Sequence, residues 1–339
     1  MLKTSAGIMF YFTLMSGVMI TISSNSWMGA WMGLEINLLS FIPILMNNNN
    51  IFTTEAALKY FLIQALASST LLFLVIMNIL LETTITLNHK MLSMIMISSP
   101  LMLKSGMAPL HWWFPSVMEG LNWNNCFIMM TLQKIAPIIL LSLLSNSTLM
   151  FSISLLSVVI GSIGGMNQLS IRKLMTYSSI NHIGWMLSAL MIGETLWTLY
   201  FLIYSILTAT LVLITKFTNI SFINQINLIN NNMWIPKFIM FSSFLSLGGL
   251  PPFMGFLPKW IIIQNLIINN MNYQVTLMVL MSLITLFYYL RMCYSSFMIL
   301  HSEPSWNMTT KNNLPLKYSL LLTFTLTGLL FSPSVILFM

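Results

Sequence analysis

Four lysines and one glutamate, Lys104, Lys134, Lys216, Lys259 and Glu35, lie in or at the edge of apolar stretches long enough to cross a membrane. An ionisable side chain in hydrocarbon is costly and normally faces protein, a partner or water. Amines and a carboxylate spread over several such stretches suit proton relay, in which each group takes up a proton, holds it and passes it on. The composition makes the pattern sharper. The chain is 57% hydrophobic and 6% charged, whereas a soluble domain carries roughly 25% charged residues.

Each group has its own local setting. Glu35 stands in Trp31-Met-Gly-Leu-Glu35-Ile-Asn37, close to mid-depth at about 1.5 Å per residue. If ionised there, it needs a cation; Lys104 is the expected partner, and Lys59 competes for the role. Lys104 lies next to proline and glycine breakers and is followed by His111. Opening and closing a Glu35–Lys104 pair would change its proton occupancy. Lys134 follows Gln133 and precedes Pro137, too far from either end of its stretch to snorkel. His182 falls in Tyr177-Ser178-Ser179-Ile-Asn181-His182-Ile-Gly184. Imidazole exchanges protons near neutral pH, and Tyr177, Ser178 and Asn181 can hold waters beside it. Lys259 follows Pro258 and reads as a terminal relay group. Lys216 is nearer a span end and suits snorkelling, while Arg172 and Lys173 suit topology anchors. For each group there is a plainer role too, as a polar packing clamp or a satisfied structural histidine. No metal site is expected: Cys126 and Cys293 lie in apolar surroundings, and His89 and His301 fall in loops without a supporting cluster.

The elements that must position these groups are helices. The fold expected is an all-α polytopic membrane protein of about eleven spans. They run over about 4–23, 27–46, 54–80, 91–110, 124–144, 149–168, 171–191, 195–218, 236–267, 273–298 and 318–338. A barrel would show short alternating segments instead. The connections are short and rich in Asn, and the longest covers about 301–317. The first stretch has no evident cleavage site and reads as a retained helix. With the N-terminus on the positive-inside face, that side receives Lys3, Arg172, Lys173, Lys237, Lys311 and Lys317, while the other receives mainly Lys90 with Glu82 and Glu194.

Spans four and nine carry helix breakers beside a lysine: Pro100, Gly106 and Pro109 around Lys104, and Gly248, Gly249, Pro251 and Pro252 before Lys259. Proline removes a backbone donor, and broken backbone in a membrane must be buried in protein or line a wet cavity. The two breaks are five spans apart. That spacing suggests two inverted five-helix repeats, 1–147 and 148–300, followed by a loop and a C-terminal helix over 301–339. The 1–339 chain then forms one membrane domain.

Several classes are excluded by the same residues. The lysines are dispersed rather than clustered, which argues against nucleic-acid binding. There is no Gly-rich dinucleotide fingerprint and no Cys-rich iron–sulfur ligation.

Together, Trp31-Met-Gly-Leu-Glu35-Ile-Asn37, Lys104-Ser-Gly-Met-Ala-Pro-Leu-His111, Arg172-Lys-Leu-Met-Thr-Tyr-Ser-Ser-Ile-Asn-His182-Ile-Gly184 and Gly248-Gly-Leu-Pro-Pro-Phe-Met-Gly-Phe-Leu-Pro-Lys259 make the whole chain resemble the antiporter-like proton-pumping subunits of respiratory complex I, the NADH–ubiquinone oxidoreductase. The Met- and Asn-rich bias without Asp resembles an insect mitochondrial product. The resemblance implies a translocase subunit of the mitochondrial inner membrane, with its N-terminus on the matrix side and its C-terminus on the intermembrane-space side. It implies that Glu35 and Lys104 form the ion pair, that Lys134 is the central relay lysine, that His182 lies on the connecting polar axis and that Lys259 is the lysine after the second broken helix. The implied partners are adjacent antiporter-like and small membrane-arm subunits, and lipids. NADH, FMN, iron–sulfur clusters and ubiquinone would be used in other subunits, with no cofactor bound by this chain. A stand-alone cation/proton antiporter, or a structural membrane-arm subunit without its own channel, is the alternative reading of the same residues.

Overall fold

The computed structural model describes residues 5–46, 50–82, 89–144, 147–227 and 234–294. All named elements among them are helices. In chain order they are α1 (Ser5–Ser23), α2 (Trp27–Leu45), α3 (Ile51–Glu82), α4 (His89–Ser105), α5 (Trp113–Gly120), α6 (Trp123–Met130), α7 (Leu132–Leu143), α8 (Ser147–Gly165), α9 (Ile171–Ile192), α10 (Glu194–Thr218), α11 (Ile223–Asn227), α12 (Trp234–Gly248), α13 (Phe256–Ile268) and α14 (Asn272–Tyr294). Seven helical segments of the described residues are long and apolar enough to cross a membrane. The chain is thus an all-α polytopic membrane protein. The expected span 318–338, and Lys311, Lys317 and His301, lie outside the described residues.

In hydrocarbon no water is available to satisfy backbone groups, so helices are favoured. Serines and threonines fit this scheme by bonding back to their own helix. The hydroxyl of Thr21 donates to Val18 O at 2.6 Å, that of Ser188 to Trp185 O at 2.7 Å and that of Thr210 to Leu207 O at 2.7 Å. Large side chains such as Phe12, Leu62, Leu66, Leu202 and Phe287 stand exposed on the outer faces.

The chain clusters into two compact units, Met1–Ile153 and Ser154–Met339. In the first, α1 and α2 cross closely because glycines face each other's helix. A Cβ on Gly17 would lie 2.9 Å from the Asn37 nitrogen, and one on Gly33 would lie 2.5 Å from the Thr21 methyl. Small residues of this kind permit backbone approach within membranes. Trp31 on α2 donates its indole N–H to Ser68 O on α3 at 3.1 Å. In the second unit α9 is buried continuously from Ser178 to Ala189. This explains why its polar residues are tolerated.

Three expected spans are not continuous helices: one ends early and two are interrupted. The span placed at 91–110 ends early: α4 stops at Ser105, and the segment 106–112 leads to α5, which lies beyond the expected span. Pro100 does not make this break, because it lies inside α4. Proline at that position withholds an N–H from the Met96 carbonyl, and the Ser99 hydroxyl donates to that carbonyl instead, at 2.8 Å. The helix ends where Gly106 adopts φ 70°, and Pro109 lies in the connecting segment. The span placed at 236–267 is divided into α12 and α13, with Gly248 closing α12, Gly249 at φ 86°, and Pro251 and Pro252 between the halves. A further irregularity, between α6 and α7, falls on Thr131 at φ −116° and ψ −81°.

Candidate functional site

Each of the two broken helices ends in the same capping arrangement. At the end of α4, the Met107 N–H bonds Met102 O at 3.1 Å and the Gly106 N–H bonds Leu103 O at 3.3 Å. At the end of α12, the Leu250 N–H bonds Leu245 O at 3.4 Å and the Gly249 N–H bonds Ser246 O at 3.0 Å. This is the Schellman pattern, which needs a left-handed residue and therefore favours glycine. The terminal carbonyls it leaves over must find other donors, because no lipid group can supply them.

In the first unit those donors are side chains of neighbouring helices. Gln64 on α3 donates to the leftover Lys104 O at 3.2 Å, and the Trp113 indole on α5 adds a second bond to Leu103 O, already an acceptor in the cap, at 3.0 Å. Lys104 itself is buried in the last turn of α4, and Glu35, half-buried on α2, is the acid whose charge reaches it. Lys59 does not take that part. Its amine pairs with Glu55 at 2.6 Å, one turn away on α3, and both side chains are largely exposed.

Lys134 sits on α7 just past the irregularity at Thr131. It is 1% exposed, and its Nζ lies 5.3 Å from the centre of the Phe114 ring, a cation–π distance. Phe114 comes from α5 and also packs on Gly106, so one ring touches both the break and the lysine. The neighbouring Gln133 donates its amide to Asn37 Oδ1 at 3.0 Å. Asn37 is two residues from Glu35, and this bond ties the helix of the acid to that of the lysine. A second tie runs from Asn125 on α6 to Ile44 O at 3.0 Å. Thus α2 holds the chain on both sides of Thr131. His111 is in the connecting segment, with its Nδ1 3.1 Å from Pro109 O.

In the second unit the donor at the broken helix is the lysine itself. Lys259, on the first turns of α13, donates from Nζ to Leu247 O at 3.0 Å and to Gly248 O at 2.9 Å. A cation at a helix C-terminus is stabilised by the carbonyl dipoles there. The Lys259 stem rests on Gly249, where an added Cβ would lie 3.0 Å from Cδ. The Trp185 ring on α9 lies 5.8 Å from Nζ. One turn before Trp185, His182 places Nδ1 2.7 Å from the Tyr200 hydroxyl. Tyr204, one turn further along α10, sets its ring centre 5.1 Å from the imidazole. Both tyrosines are buried.

Of the remaining residues expected at the site, Ser178 and Asn181 are buried on α9 near His182, whereas Tyr177 is half-buried and lies against Gly164 of α8. Lys216 is exposed in the last turn of α10, and Arg172 and Lys173 open α9 half-buried. Sequence reasoning missed Gln64, Tyr200 and Tyr204, and named Gln133 only as the neighbour of Lys134. Their roles arise from contacts between helices, and no local spacing announces them. Gly106, named in the sequence among the breakers around Lys104, is where the helix stops.

Helices broken at midcourse, with lysines buried against them, define a polytopic membrane domain of the ion-translocating class. The chain belongs to the family described as NADH:quinone oxidoreductase/Mrp antiporter, transmembrane, whose model matches residues 24–285. It is 51% identical to NADH-ubiquinone oxidoreductase chain 2 of Anopheles gambiae over 94% of this chain and 93% of that one. With chain 2 of Locusta migratoria it shares 44% identity over 92% of each. Among solved structures, respiratory complex I from Thermus thermophilus superposes with a TM-score of 0.82 at 23% identity, covering 97% of this chain and 80% of that one. The Mrp complex from Dietzia sp. gives 0.73 at 18% identity, covering 85% and 59%. These structural likenesses speak for the fold.

Proposed function

We propose that the chain is the membrane-arm subunit of a proton-translocating NADH–ubiquinone oxidoreductase that corresponds to chain 2, and that it moves protons through its buried amines. The observation that carries this reading is the burial of Lys104, Lys134 and Lys259, each held against or within one turn of an interrupted helix. Moving one charge against about 100 mV takes about 2.3 kcal/mol, so amines whose proton affinity responds to neighbouring charge are suited to the work. In the first unit, Glu35 and Lys104 act as the pair whose strength sets the proton occupancy of Lys134. In the second, His182 and Lys259 take up and release the proton. NADH oxidation and ubiquinone reduction belong to other subunits, and the residues of this chain do no electron transfer.

The same reading arranges the chain as eleven spans in two inverted five-helix repeats plus a C-terminal helix. It places the chain in the mitochondrial inner membrane with the N-terminus on the matrix side, beside other antiporter-like and small membrane-arm subunits. The deciding experiment replaces Lys104 with Met in the assembled complex. A complex that assembles normally and loses coupled turnover supports proton transfer through this chain. Intact coupling in that variant would leave it a scaffold.

A further inference from the structure

We propose that Tyr288, Tyr289 and Tyr204 form a proton access route from the exposed turn between α8 and α9 to the imidazole of His182. The inference rests on the reading of His182 as a relay group and adds the path by which its proton arrives.

The route begins at the end of α8. A Cβ on Gly165 would lie 2.9 Å from the Tyr288 ring and 3.4 Å from its hydroxyl oxygen, so this phenol end lies directly on the last turn of α8. The turn beyond it reaches solvent or headgroups: Asn167 is exposed, and Gln168 is half-buried with its amide on Gly164 O at 3.2 Å. Arg291, one turn after Tyr288 on α14, reaches Met166 O at 3.5 Å and marks the same end of the helices. Tyr289 follows, its ring centre 4.6 Å from that of Tyr288 in an edge-on arrangement. The Tyr289 hydroxyl lies near Ser178 on α9, and its phenol is close enough to Tyr204 to act on it; Tyr204 in turn faces Ser179. Tyr204 lies against His182, whose Nδ1 is hydrogen-bonded to Tyr200.

Tyrosines that only fill space present their hydroxyls to a fixed partner, since buried polar groups are nearly always hydrogen-bonded. Here the hydroxyls of Tyr288 and Tyr289 are buried without a completed hydrogen bond, as are Asn181 Oδ1 and the Trp185 indole N–H on the adjoining face of α9. Two helices, α9 and α14, thus carry unsatisfied polar atoms on adjoining faces, and water is the ligand whose size and two-sided hydrogen bonding suit them. Along such a row each hydroxyl accepts a proton on its lone pair while giving its own to the next oxygen. Every phenol ends neutral and intact, no electron moves, and the one lasting change is an added proton on the ring of His182.

The test compares Y288F/Y289F with H182Q in the whole complex reconstituted into vesicles, reading NADH-driven proton uptake with an internal pH dye and the solvent deuterium isotope effect on turnover. Phenylalanine keeps both rings and their packing, and Y289F alone serves as the milder variant if the double variant assembles poorly. The expected result is normal assembly, coupled turnover reduced about tenfold or more and a larger isotope effect, because proton delivery becomes the slow step. Unchanged turnover and isotope effect in the tyrosine variants, with H182Q impaired, would overturn the access route and leave the relay standing. If H182Q is also unimpaired, the relay beneath it falls as well.

Discussion

The Nζ of Lys259 lies 2.9 Å from the carbonyl oxygen of Gly248, the last residue of the half-helix that precedes it. The lysine is therefore seated in the break. A helix interrupted in the membrane leaves carbonyls that need donors, and an amine in the membrane needs acceptors; here each requirement answers the other. Lys259 also bonds Leu247 O, and in the first unit the carbonyl that corresponds to Leu247, that of Lys104, takes its donor from Gln64 instead.

Gly249 is the position on which this seat depends. It holds φ 86°, and an added Cβ would meet the Lys259 stem at 3.0 Å. Gly249→Ala is expected to cost about 1–2 kcal/mol from the backbone alone and to displace the amine. Thermal unfolding of the assembled complex should shift down, and coupled turnover should fall beyond what the lost stability accounts for.

Gln64 can be tested by removing its amide. Gln64→Leu leaves the Lys104 carbonyl buried without its donor, a cost of about 1–3 kcal/mol. The expected outcome is a lower melting temperature with the amine of Lys104 still present. Gln64→Glu should rescue it only while the carboxyl is protonated, because an ionised carboxylate offers no donor.

The bond between Gln133 and Asn37 calls for a double-mutant cycle. Gln133→Leu and Asn37→Leu should each destabilise the complex, and the double variant should be milder than their sum by about 0.6 kcal/mol, the usual scale for such bonds in membranes. Strict additivity would show that the two amides do not hold α2 and α7 together.

Ser99 offers a local check on the intact helix at Pro100. Ser99→Ala removes the hydroxyl that satisfies Met96 O and should cost about 1 kcal/mol. Hydrogen exchange at the amides around residue 96 should then rise relative to the rest of α4.

Which parts were legible in the sequence follows from where their information resides. The buried lysines and the break before Lys259 were visible because charge in an apolar run, and Gly-Gly followed by Pro-Pro, are local signals. Pro100 misled because its consequence is cancelled by the serine beside it. The irregularity at Thr131 has no breaker of its own. Tyr200, Tyr204, Tyr288 and Tyr289 look like ordinary apolar-face aromatics in the chain and acquire meaning only when α9, α10 and α14 are packed together. In sequence two lysines were open to Glu35, and the structure seats Lys59 against Glu55, one turn away on its own helix.

The continuous burial of α9 from Ser178 to Ala189 has a consequence for how the protein is made. A segment holding Ser178, Ser179, Asn181 and His182 partitions poorly from the translocation machinery into lipid, since each polar group carries its own insertion penalty. It must be released together with neighbours that cover it, and α10 and α14 emerge only after it. The nascent chain therefore waits for later helices before this one is secure, and lesions in α10 or α14 should appear first as failed insertion and turnover by membrane proteases.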